Sequence, residues 1–281
     1  MWICPICETM NNTYKCNNCG FDKSKDYMHC RFLSELSKEA RKLPKRQNLK
    51  KNVMMKNCGD DLVFGKKGMR ELISRITFLS GEKKWNWGTW DISEAQNGSV
   101  LAYLKNNFSY EKQLFIWADG KIIANKDCSN LFAGYEYLEA IDGLENFETG
   151  QVENMSCMFL GCKYLKKLDV SNFDTSHVKN MSCMFGKCKS LEELDVSNFD
   201  TSHVEDMSYM FRGCKSLEEL DVSNFDTSRV KNMAGMFLKC KCLKELDVSQ
   251  FDTRKVQCMS MMFSDCCNLK ELDLSNFKTN Q

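Results

Sequence analysis

The sequence predicts an α+β repeat protein: a solenoid of 26-residue coils preceded by a cap domain and a small zinc ribbon. Three observations predict it. Phe159, Phe185, Phe211, Phe237 and Phe263 stand 26 residues apart, and so do Cys162, Cys188, Cys214, Cys240 and Cys266. Within each unit the apolar spacing switches from a helical to a strand period. At the N-terminus two Cys-x-x-Cys pairs stand where no other hydrophobic pattern exists.

The chain has 281 residues with a formal net charge of +1, which excludes a globally basic nucleic-acid protein and an acidic tail protein. The balance is uneven: residues 1–130 carry 22 basic and 14 acidic side chains, residues 131–281 carry 17 and 24. The longest apolar run is five residues, Leu114 to Ala118, against the roughly 20 that span a bilayer. The N-terminus has neither a basic nor an apolar leader region, so no membrane span and a cytoplasmic location are expected. Seventeen cysteines in ordered sets fit a reducing compartment better than a disulfide scaffold.

Residues 1–22 are expected to form the zinc ribbon. Cys4, Cys7, Cys16 and Cys19 form two knuckles, and four thiolates aimed at one point satisfy tetrahedral Zn2+. So short a segment cannot bury a core, and structural metal supplies on the order of 10 kcal/mol in small fingers. With all four ligands protein-derived, the expected role is structural; Cys30 and His29 are spare. Residues 23–59 read as a helix and basic linker. Phe32, Leu36, Ala40 and Leu43 share one helical face ending before Pro44, and residues 31–56 hold nine Lys/Arg against two Glu. A solvated tether is the favoured reading of this patch, and a nucleic-acid contact the lesser one.

Residues 60–130 do not repeat and read as the cap over the first coil's apolar face. Trp85, Trp87 and Trp90 are expected to pack there rather than to form a sugar-stacking platform.

Residues 131–281 are the repeats. Met207, Met210, Phe211, Cys214 and Leu217 have the spacing of a two-turn helix, Leu220–Ser223 alternates like a strand, and Asn224–Thr227 carries turn chemistry. The cysteine and methionine columns lie in the apolar stripe and read as packing. Cys157 and Cys183 give way to Tyr209 and Gly235 further along, so that column reads as no shared site. His177 and His203 are replaced by Arg229 and Lys255, which suits a surface cation and no catalytic role. Asp169, Asp195, Asp221, Asp247 and Asp273 occupy outward positions. Carboxylates stacked at ~5 Å repel by about 1 kcal/mol per pair even in water, so a cationic or donor-rich protein partner on this face is a candidate. Asp174, Asp200, Asp226 and Asp252 precede threonine in turns and read as structural. The chain stops mid-coil at Phe277–Gln281, and an uncovered last strand predicts weak end-to-end homodimers.

The repeated LxxLDVSNFDTSxVxNMxxMFxxC motif resembles the bacterial surface-protein leucine-rich repeats of BspA type, also described as Mycoplasma-lipoprotein-associated repeats. The likeness extends upstream through Trp90–Ser93 and Leu114–Ala124 to Leu131–Phe132. It implies a right-handed leucine-rich solenoid presenting a protein-binding surface, often on a cell-surface adhesin. The N-terminal pattern Trp2-x-Cys4-x-x-Cys7 with Asn11, Cys16 and Cys19 is similar to compact zinc ribbons and, more loosely, to RanBP2-type fingers, a family that binds ubiquitin or single-stranded RNA. The expected function is therefore a non-catalytic scaffold that binds protein, with the zinc ribbon as a docking knob. A surface adhesin and a nucleic-acid-associated regulator using residues 1–56 are the alternatives.

Overall fold

The computed structural model describes Trp2–Ile3, Met10–Asn11, Met54, Arg70 and residues 72–82, 89–95, 98–106 and 112–278. The predicted zinc ligands Cys4, Cys7, Cys16 and Cys19, the amphipathic segment with its basic linker, and Trp85 and Trp87 lie outside the described residues. The strands are β1 (Trp2–Ile3), β2 (Met10–Asn11), β3 (Ile73–Ser80), β4 (Trp90–Asp91), β5 (Val100–Asn106), β6 (Lys112–Ala118), β7 (Ile122–Ile123), β8 (Ala140–Asp142) and β9 (Phe147–Glu148).

A mixed five-stranded sheet, ordered β4-β5-β6-β3-β8, precedes the repeats. Its strands are rich in β-branched and aromatic residues, which suit a pleated, half-buried surface. Ile76 and Phe78 of β3, Leu114 and Ile116 of β6, and Val100 and Ala102 of β5 are buried. Tyr103 and Phe115 stand directly opposite across β5 and β6, with ring centroids 4.7 Å apart and planes 7° from parallel, a cross-strand pair of the kind that stabilises sheets. Strand β3 runs parallel to both β6 and β8, and β8 carries the sheet into the repeats. Arg75 reinforces this seam by donating to Asp142 at 2.5 Å. Where the chain leaves β8, Gly143 has φ 76° and passes directly against the backbone of Phe78.

The repeats correct the sequence expectation. From 131 to 278 there is no α-helix, and a single 3-10 turn, Leu144–Asn146, is the only helical segment described there. The N–H groups of Met207, Tyr209, Phe211 and Gly213 donate to Asn232, Ala234, Met236 and Leu238 of the next unit at 2.9, 2.8, 2.9 and 2.7 Å. The intervening Met210, Arg212 and Cys214 turn back three residues, to Met207, Tyr209 and Phe211, at 3.3, 3.0 and 3.1 Å. The backbone is a run of tight turns whose alternate amides bridge to the neighbour. Left-handed residues enforce this: Cys157, Cys183, Tyr209, Gly235 and Met261 have φ between 56° and 57°, which a right-handed helix cannot contain. Turn ribbon and helix put the same residues inward, which is why the spacing of the apolar stripe misled.

The predicted strand is corrected as well. Leu220 and Val222 are buried and Asp221 and Ser223 exposed, but no ladder forms there. The segment is held instead by the Asn224 amide, which donates to Ser197 and Phe199 carbonyls of the preceding unit at 2.9 and 3.1 Å. The α+β, right-handed leucine-rich solenoid is thus overturned. Among the described residues regular structure is almost all β, in the mixed five-stranded sheet and the two-stranded sheets β1-β2 and β7-β9, and the repeats stack through turns and single parallel bridges, Asn154–Asn180–Asp206–Asn232–Cys258.

Three internal columns join the units. Phe159, Phe185, Phe211, Phe237 and Phe263 stack at 5.6–5.7 Å with planes within 9° of parallel. Thr149, Thr175, Thr201, Thr227 and Thr253, each 1% exposed, donate their hydroxyls to the carbonyl of Asp174, Asp200, Asp226, Asp252 and Lys278 in the following unit. Cys162, Cys188, Cys214, Cys240 and Cys266 donate backwards to Phe132, Phe159, Phe185, Phe211 and Phe237 carbonyls at 3.0–3.2 Å. On the surface, Glu153, Lys179, Glu205 and Lys231 make a column of alternating charge. Glu153 meets Lys126 and Lys179 at 3.2 and 2.8 Å, and Glu205 meets Lys231 at 2.6 Å.

Candidate functional site

Asp169, Asp195, Asp221, Asp247 and Asp273 stand in one exposed column. Each turns its Oδ1 onto the backbone N–H of the serine two residues on, at 2.8–3.0 Å. Such Asx turns let the side chain satisfy the backbone locally and hold it in one orientation. Glu193, Glu219, Glu245 and Glu271 lie two residues earlier and are also exposed; Glu193 pairs with Lys167 at 2.7 Å. Together they form an acidic band, and between the last two units Glu245, Asp247 and Glu271 share an open groove of about 860 Å³ with Lys244 and Lys270.

The serine partners, through hydroxyl and then N–H, hold Asp169, Asp195, Asp221 and Asp247 below the usual carboxylate range; for Asp273 the N–H leads. The neighbouring carboxylates push Asp195 back up, but less strongly. In the second column Asp174, Asp200 and Asp226 cap the N–H groups of Ser176, Ser202 and Ser228. Arg254 grips Asp252 at 2.6 and 2.9 Å and takes it down to about 2. A depressed folded value means that stability is present above the unfolded value, about 3.9 for aspartate, and lost as pH falls through the folded one. The chain should therefore keep its near-ultraviolet circular dichroism from neutral pH to about 4 and lose it between about 4 and 2. Replacing Asp195, Asp221 and Asp247 by Asn should flatten that loss. An equally steep acid transition in the triple variant would show that the turn carboxylates are not its source.

The remaining candidates divide cleanly. Burial pushes the thiols of Cys188 and Cys240 up to about 12, and those of Cys162 and Cys214 well up also, so the core column is neutral and shielded. His177 and His203 are exposed, and each ring Nδ1 is in contact with the hydroxyl of the serine before it, at 3.1 and 3.2 Å. Trp90 is half-buried against the core. Among the described residues no three His, Cys, Asp or Glu side chains come together to hold a metal ion, so metal binding as an attribute of that part of the chain is corrected; the expected cysteine ligands lie beyond it. No helix among these residues is long and apolar enough to cross a membrane.

One pair was missed. Cys157 and Cys183 occupy equivalent positions in adjacent units, are half-buried, and shift each other's titration. The signal was present as two thiols 26 residues apart, discounted because Tyr209 and Gly235 follow them.

Fold and side-chain columns together define a chain of stacked 26-residue repeats, begun by a mixed β-sheet and bearing an acidic face. It belongs to the family described as Mycoplasma protein of unknown function, DUF285, which matches residues 126–220 and 214–281. No curated protein and no solved structure matches it.

Proposed function

We propose that the chain is a non-catalytic scaffold that binds a protein partner bearing a cationic or donor-rich surface. The acidic band is its contact face. One observation carries this: Asp169 and its four counterparts are each held by the same Asx bond, at repeating positions on a closely packed frame. Carboxylates fixed before binding lose little conformational freedom on meeting a partner, and several weak contacts in one line add in avidity. The motif's likeness to BspA-type surface repeats, which present a surface for protein binding, supports the same reading.

Extracts of source cells passed over immobilised wild-type chain and over the D195N/D221N/D247N variant provide the test. Proteins retained by the wild type and released by moderate salt should fall at least tenfold on the variant, with unchanged far-ultraviolet circular dichroism. Equal retention on both would remove the acidic band as the contact face.

A further inference from the structure

Each unit has two left-handed residues, and in two consecutive units the first of them is a cysteine. Cys157 and Cys183 have φ 57° and 56°, and their N–H groups donate to Ser182 and Ser208 carbonyls, both at 2.8 Å. The two backbones therefore run in the same orientation one bridge step apart. Such a step is about 4.8 Å, within the roughly 4.4–6.8 Å between Cα atoms that a disulfide spans. The thiols are half-buried and lie on neighbouring rungs, unlike the core column, whose thiols are spent on carbonyls. Arg212 and Lys187 are the cations acting on Cys183, and Asp206 the anion. The Arg212 guanidinium is fixed over the Tyr209 ring, 5.4 Å from its centroid, and that ring lies across Gly235, where a Cβ would meet it at 2.4 Å.

We propose that Cys157 and Cys183 form a dithiol site that small hydroperoxides oxidise to a disulfide joining two adjacent repeats. The Cys183 thiolate attacks the terminal peroxide oxygen. The O–O bond breaks, and the leaving oxygen takes a proton to depart as water or alcohol. The Cys157 sulfur then attacks the resulting sulfenic acid; the S–S bond forms, the S–O bond breaks, and the hydroxyl leaves as water with the Cys157 proton. Two thiols lose two electrons and the peroxide gains them. Cys183 is the attacking sulfur because the neighbouring Cys157 thiol, with Arg212 and Lys187 beside it, brings it down to about 7, while Cys183 drives Cys157 up. A thiolate fraction near neutral pH is what peroxide chemistry requires.

The test is limited oxidation of the reduced full chain by hydrogen peroxide, followed by alkylation and tryptic mapping. Cys183 emerges in the fragment Asn180–Lys187 and Cys157 in the fragment Asp127–Lys163 with Cys128 and Cys162. The two fragments should appear disulfide-linked before other thiols are consumed, with Cys128 and Cys162 of the linked peptide alkylated. In Cys157→Ser, oxidation should stop at a Cys183 sulfenic acid trapped by dimedone. In Cys183→Ser, the Cys157 thiol should remain alkylatable at the same peroxide dose. Prior loss of the exposed Cys258 or Cys267, with Cys157 and Cys183 still free, would overturn the proposal, as would a link from either to any other cysteine.

Discussion

Phe211→Ala is expected to destabilise the chain by about 3–5 kcal/mol, the range for removing a fully buried phenylalanine. Phe211 has no exposed surface and is sandwiched between Phe185 and Phe237 with centroids 5.7 Å away on both sides. Its loss opens a gap between two units that contact little else than their neighbours, so the damage concentrates at one junction. Domains are stable by only about 5–15 kcal/mol, and the variant should unfold in urea in two steps, or at a much lower midpoint. Phe263→Ala is the control: that ring is only partly buried and packs on Phe237, so a smaller shift is expected. Equal shifts for both would mean that the ring column is not what couples the units.

Gly143→Ala attacks the other junction. A Cβ there would sit 2.2 Å from the Phe78 carbonyl oxygen and 3.1 Å from its carbon. Both are backbone atoms of the sheet, so β3 or β8 must move, at about 1–3 kcal/mol for such forced shifts. The left-handed φ of 76° adds roughly 1–2 kcal/mol for any residue with a Cβ. Gly134→Ala separates the contributions, because Gly134 has φ 75° and nothing within 4 Å of its would-be Cβ. The Gly143 variant should lose amide-exchange protection along β3, and the Gly134 variant should not. A Gly143 variant no less stable than the Gly134 one would show that the close approach to Phe78 costs nothing.

Much of this was legible in the sequence, and the reasons are local. The period aligned the phenylalanine and cysteine columns and put both inside, as the burial of Phe211 and Cys214 bears out. Alternation along Leu220–Ser223 assigned the correct faces. Backbone conformation was not legible. A left-handed Tyr209 or Met261 bears no mark in its residue type, and glycine at Gly161 and Gly213 alternates with Lys187, Lys239 and Asp265 at the same kind of position. The threonine column was equally hidden, because Thr201 is a turn residue until the Asp226 carbonyl of the next unit covers it. Of the candidate site, the outward aspartates were visible as a column; their Asx bonds and the contact between Cys157 and Cys183 depend on how neighbouring units lie together.

The alternating surface charges have a consequence for assembly. The units are so alike that a growing stack risks omitting one and docking on the next but one. Skipping the Lys179 unit would set Glu153 against Glu205, so attraction becomes repulsion at that junction. Exposed pairs contribute only about 0.2–1 kcal/mol, but the swing between right and wrong partners is larger than either alone. The sign sequence works as a parity check on counting: a chain that drops one repeat fails it, whereas the phenylalanine and threonine columns would accept the error.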